Sequence, residues 1–292
     1  MGARRDPDAM VSRALTPLAA ALRRHDRDRF QTALFAPGDR REALFALYAF
    51  NYEVARIREA VREPLLGRIR LQWWRDAIAE IYAGAPPRRH DVVEPLARAI
   101  RDRGLGRAHF DTLLEARELD LGEAQPATLA ALETYAEGSS ASLVLLALEA
   151  LGAGKGAAAE AARPVGIAYA LSGLLAAAPF HARMKRSYLP QDRVAAHGLD
   201  PARSLFELKA SPSLAAVAEE IAQRARHHLD AARRHRNTVP RAALPALLPA
   251  VLAEHRLARL ARIGYDIFDP RWQRPAGTQS WRLLWAALRR AY

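Results

Sequence analysis

Apolar positions recur at steps of three and four along most of this chain, the period of helices that each bury one stripe. In residues 9–24, Val11, Leu15, Leu18 and Leu22 share a face, and residues 26–35 form a second, shorter helix. Pro37-Gly38-Asp39 is a turn signal, with Asp39 placed to cap the helix that follows. Residues 44–82 hold the strongest pattern. Leu47, Phe50, Val54, Ile57 and Val61 form one stripe, Pro64 suits the first position of a second helix, and Leu66, Ile69, Trp73, Ala77 and Ile81 continue it. The spacing predicts a helical hairpin. A linker at 84–89 contains Pro86-Pro87, and Asp91 is a candidate cap for a helix to 103. Further helices are predicted over 106–121, 126–151, 157–178, 213–236 and 240–263. Gly152, Gly154 and Gly156 end the second of these, and Pro245 and Pro249 predict a kink in the last. Residues 280–291 close the chain as an amphipathic helix carrying Trp281, Leu284, Trp285 and Leu288. Such a stripe either docks on the core or serves as a membrane-surface or partner-binding face. No period-two alternation and no internal repeat are present, so the fold class is all-α.

Composition narrows the chemistry. With 292 residues, half of them hydrophobic, one sizeable core is expected. There is no cysteine, which excludes disulfides, thiolate metal sites and a cysteine nucleophile. The formal charge of +12 comes from arginines scattered along helices, without zinc-finger, RNA-recognition or OB-type patterns, so no nucleic-acid partner is expected and an anionic membrane surface fits better. Residues 164–182 carry no charge, but Pro164, Gly166, Gly173 and Pro179 read as a buried core helix rather than a membrane span. The opening MGARRDPDAM lacks the apolar core of a secretory signal, so a cytoplasmic chain is expected.

Candidate chemistry is sparse. His228 and His235 share a face without a carboxylate to complete a metal site, and a solvated basic face is the plainer reading. The carboxylate pairs Asp76/Glu80, Asp111/Glu115 and Glu133/Glu137 lie four apart on helices, the last beside a run of small residues, Gly138 to Ser142. That run allows close approach of either another helix or a ligand chain. Glycine-rich phosphate loops, nucleophile elbows and zinc-helix motifs are not found.

Several phrases together resemble the squalene/phytoene synthase family: Leu47-Tyr48-Ala49-Phe50, the stretch from Tyr135 to Gly152, and Tyr188-Leu189-Pro190-Gln191-Asp192. The resemblance implies an isoprenoid-synthase-like helical bundle around a central cavity, a single domain over 37–265, with N-terminal helices (1–36) packed on it and a C-terminal tail helix (266–292). Active relatives hold Mg²⁺ through two aspartate-rich motifs whose carboxylates lie four apart on facing helices. The matching positions here are Ala55 and Glu59, then Ala177 and His181, so no catalytic residue, metal site or cofactor is expected. What remains is basic: Arg56, Arg58 and Arg62, with Arg183, Lys185 and Arg186, and with Tyr48 and Tyr188 as further candidates for holding an anion, diphosphate or lipid headgroup. Within the family the wording is closest to a non-catalytic branch that includes a mitochondrial assembly factor of respiratory complex I, through Ala49-Phe50-Asn51, Gln72-Trp73-Trp74, Tyr135-Ala136-Glu137 and Pro179-Phe180-His181. That branch implies an inactive helper in building complex I, peripheral on the inner face of the cytoplasmic membrane, or on the matrix side in a eukaryote. Two alternatives stand beside it: head-to-head prenyl transfer on farnesyl or geranylgeranyl diphosphate, which would need Mg²⁺, and a non-catalytic prenyl- or lipid-binding module.

Overall fold

The computed structural model describes residues 15–61, 63–122, 125–273, 277–289 and 291–292, and among them every regular element is helical. In order these are α1 (Pro17–His25), α2 (Arg27–Ala33), α3 (Gly38–Ala55), α4 (Ile57–Ala60), α5 (Pro64–Tyr82), α6 (Val93–Arg103) and α7 (Arg107–Glu118), which runs into a 3₁₀ turn (Leu119–Leu121). Then come α8 (Leu129–Ala136), a π turn (Glu137–Ala141), α9 (Ser142–Ala150), α10 (Ala157–Arg183), α11 (Gln191–Ala196) and α12 (Pro212–Arg233). The chain closes with α13 (Leu244–Leu247), α14 (Pro249–Arg262), α15 (Pro270–Gln273) and α16 (Gln279–Leu288).

Local chemistry explains most boundaries. Thr16 accepts from the Ala19 N–H ahead of Pro17 and so opens α1 at Pro17, and Asp26 accepts from the Arg29 N–H to open α2. Positions 9–14 of the predicted first helix lie outside the described residues. Asp39 does not cap α3. Pro37 occupies that place, and the Asp39 carboxylate pairs with Arg40 at 3.0 Å. Asp91 does not cap α6 either: Val92 holds the N-cap place with no side-chain bond to the helix, and its own N–H donates to the His90 Nδ1. The predicted long helix over 240–263 is divided at Pro245 and Pro249 into a 3₁₀ turn, α13 and α14, where each proline takes a first-turn position.

The core is one hydrophobic cluster reaching from Ala19 to Tyr292. At its centre α3 is buried almost all round from Ala43 to Asn51, and α10 packs along α12, α14 and α9. Helix α10 is long and apolar enough to span a membrane, yet 61% of its most apolar window is buried against the rest of the protein, as a core helix requires. The small-residue run sits in the π turn and serves helix packing. A Cβ on Gly138 would lie 2.7 Å from the Ala116 Cβ of α7, and one on Gly166 of α10 would lie 2.6 Å from the Ala141 nitrogen. The hairpin departs from its predicted stripe at one place. Leu66 and Ile69 are exposed, and α5 buries Gly67, Leu71 and Trp74 before Ala77 and Ile81 rejoin the predicted face.

Candidate functional site

Helix α3 stops at Ala55, and after Arg56 only the single turn of α4 follows before Val61 goes extended. This break places Ala55, Arg58 and Glu59 at one end of a cavity of about 180 Å³ at the centre of the bundle. Arg117 of α7 and Asp120 of the 3₁₀ turn form a second wall. Tyr135 of α8, the end of α10 (Leu174, Phe180, His181, Met184) and the turn carrying Arg186 and Tyr188 complete it. Deeper in, Leu132, Leu175, Ala178, Leu205 and Ile221 surround only about 20 Å³, room for a water and little else. Ligand clefts commonly run from about 300 Å³ upward, so apolar side chains have largely filled this interior.

The polar end of the cavity is closed on itself. Asp120 is buried, with one carboxylate oxygen accepting from the Arg117 guanidinium at 3.1 Å and the other from the Tyr188 hydroxyl at 2.7 Å. The same Arg117 nitrogen also donates to the Tyr135 oxygen at 2.9 Å, and the other terminal nitrogen points to the Asn51 carbonyl oxygen at 3.5 Å. Arg186 donates to the backbone oxygens of Asp120 (2.6 Å) and Gly122 (3.3 Å), and Arg58 donates to that of Val61 at 3.2 Å. These arginines hold the cavity wall together. Burial, with the Asp120 charge beside it, pushes the Tyr188 hydroxyl well above its usual range, and burial does the same to Tyr135. The His181 ring lies beside that of Tyr188, tilted by 51° with centroids 4.8 Å apart, and its Nδ1 is buried without a hydrogen-bond partner. Burial first, then the neighbouring Arg186, lowers its pKa to about 4, so it stands as a neutral imidazole at pH 7.

Of the residues singled out in the sequence, Ala55, Arg58, Glu59, His181, Arg186 and Tyr188 therefore meet at one cavity. Others do not. Tyr48 is buried in a different cluster under Arg29, where burial raises its hydroxyl to about 12. Arg56 faces an outer cleft with Trp73, Trp74 and His90, and Ala177 lies on α10 outside the cavity wall. Arg183 is exposed at the end of α10, and the exposed Lys185 turns its ammonium to the Phe206 backbone oxygen and ring. Arg62 lies outside the described residues. In each of the carboxylate pairs at least one member meets an arginine: Glu80 meets Arg88, Asp111 meets Arg107, Glu137 meets Arg163 and Glu133 meets Arg224, while Asp76 accepts from the Gln72 amide. His228, expected on a solvated face, is instead largely buried against Glu133, whose oxygen lies 2.5 Å from its Nε2.

Known proteins can be compared with this architecture. The sequence model of the squalene/phytoene synthase family matches residues 22–288. The chain belongs to that family. It is 32% identical over 252 residues to the NADH dehydrogenase (ubiquinone) complex I assembly factor 6 of Homo sapiens, covering 86% of this chain and 75% of that protein. The presqualene diphosphate synthase of Rhodopseudomonas palustris is 27% identical over 220 residues, covering 75% of this chain and 77% of that enzyme. Among solved structures, a dehydrosqualene synthase bound to a ligand superposes with a TM-score of 0.78 at 19% identity over 93% of this chain and 94% of its own, a likeness of fold.

Metal chemistry of the family's kind asks for carboxylates facing one another with free lone pairs. The donor set here does not fit a magnesium cluster. Ala55 and Ala177 bring no donor, both oxygens of Asp120 are engaged, and among the described residues no three His, Asp or Glu side chains gather as metal ligands. Glu59 and Asp120 do line the same space, and Asp120 adds to the burial that holds the Glu59 carboxyl above its ordinary value against Arg56. Sequence reading did not single out Arg117 or Asp120. Their spacing of three on one helical face was the available signal, a weak one, because the Tyr188 that completes the network comes 68 positions later.

Proposed function

We propose that this protein is a non-catalytic member of the squalene/phytoene synthase family that assists the building of a respiratory NADH dehydrogenase at the inner face of the membrane. The observation that best supports a loss of chemistry is that Asp120, a buried carboxylate lining the cavity, already accepts from Arg117 on one oxygen and from Tyr188 on the other. The positions where Mg²⁺ ligands belong in active relatives are filled by Ala55, Glu59, Ala177 and His181, and the interior that a prenyl chain would enter is packed. The assembly role is supported by the 32% identity to complex I assembly factor 6 over most of the chain.

Deletion of the gene in its host tests the assembly role. NADH dehydrogenase activity in isolated membranes is expected to fall, with succinate oxidation unchanged, and to return on expression of the wild-type chain. An unchanged NADH dehydrogenase level in the deletion strain contradicts the role.

A further inference from the structure

Helix α16 has two apolar faces. One docks it to the bundle, with Leu283 and Ala286 buried and the Gln279 side chain donating to Asp28 at 2.5 Å and Gln31 at 3.2 Å. The other carries Trp281, Leu284, Trp285 and Leu288, spaced i, i+3, i+4, i+7 so that they form one stripe. That stripe faces outward, with relative exposures of 74%, 40%, 58% and 72%. Two tryptophans and two leucines in a row on an already docked helix are not needed for folding, and exposed patches of this sort mark interaction surfaces.

We propose that the outward stripe of α16 is a bilayer contact that seats this protein on an anionic lipid surface. The inference rests on the membrane-side placement proposed above and deepens it by naming the face and the lipid charge. Three observations favour lipid over a protein groove. Tryptophan belongs at the headgroup level, where its ring is half in hydrocarbon and its N–H is wet. The α16 segment carries Arg282 and Arg289 and no Asp or Glu from residue 270 to residue 292, a cationic bias that suits an anionic surface. Arg282 and Arg289 flank the stripe on the helix itself, Arg289 with its guanidinium 3.5 Å from the Trp285 ring centroid, placing a cation at the depth of lipid phosphates. The surrounding potential is also felt by His255 on α14, whose pKa burial and then Arg282, Arg259, Arg262 and Arg256 lower to about 4.

Vesicle flotation of the full chain tests the assignment. The wild type is expected to float with equimolar phosphatidylcholine and phosphatidylglycerol vesicles, to bind phosphatidylcholine alone far less, and to show a blue shift of tryptophan emission on binding. The triple variant Trp281→Ser, Trp285→Ser, Leu288→Ser changes exposed side chains only and should keep the wild-type helical circular dichroism. Its bound fraction is expected to fall about tenfold. The variant Arg282→Glu with Arg289→Glu is expected to lose the preference for phosphatidylglycerol while keeping the fold. If the wild type binds and the triple variant binds equally, the assignment of α16 is overturned and the membrane placement stands. If the wild type floats with no vesicle, both are overturned. The assignment also fails if the wild type ignores vesicles but the triple variant converts an oligomer to a monomer in solution, since the stripe is then a protein interface.

Discussion

Replacing Asp120 with alanine is expected to destabilise this protein by about 3–5 kcal/mol, the range seen when one partner of a buried ion pair is removed. The Asp120 side chain is 8% exposed and that of Arg117 is 15% exposed, so little solvent screens the charge left behind. Arg117 would keep Tyr135 and Asn51 but lose its only carboxylate, and the Tyr188 hydroxyl would lose its acceptor. Urea unfolding read by circular dichroism measures the effect, as a lower midpoint at constant slope. The double variant Asp120→Leu, Arg117→Met removes both charges together and is expected to recover much of the loss, because a half-satisfied network costs more than an apolar one. An Asp120→Ala variant within about 0.5 kcal/mol of wild type, the scatter of ordinary surface substitutions, would mean that the carboxylate is not committed to the fold.

The second large effect is expected at Gly166. Alanine gains about 1 kcal/mol of helix propensity over glycine there. Against that, its Cβ would sit 2.6 Å from the backbone nitrogen of Ala141. Overpacking costs about 1–3 kcal/mol where side chains can shift, and more where the obstacle is main chain, so the clash wins. Gly166→Ala is expected to lose about 2 kcal/mol net and Gly166→Leu to abolish soluble expression, whereas the same changes at Gly156 meet no atom within 4 Å and carry only the strain of its positive φ. Thermal unfolding of the alanine variant checks the sign.

Both effects arise at features that one-dimensional pattern reading handles unevenly. Helices that bury one stripe write a period near 3.6 into the sequence, and α6, α7 and α12 lie close to the predicted ranges, whereas α3 is buried almost all round and stops at Ala55, short of the predicted stripe's end at Val61. Leu66 and Ile69 misled because nothing local distinguishes an apolar residue facing solvent from one facing the core, and the true stripe of α5 begins at Gly67, a glycine chosen for contact with Leu121. Asp39 and Asp91 look like caps by residue type, but Pro37 and Val92 occupy the N-cap places. At the cavity, His181, one of the two positions matched to the second motif, lines the space. Ala177, four residues earlier, does not, and Pro179 lies between them where it removes a helical hydrogen bond. Asp120 was invisible for a different reason. Its partners converge from three separate stretches of chain, and only the folded bundle brings Arg117, Tyr135 and Tyr188 around it.

On the function proposed above, the family's fold persists here without its magnesium chemistry. The most direct measurement is diphosphate release by the purified protein from farnesyl and geranylgeranyl diphosphate, with and without Mg²⁺, beside an active squalene-type synthase as reference. The account predicts release indistinguishable from buffer under every condition. Sustained Mg²⁺-dependent release with a coupled C30 or C40 product would contradict it.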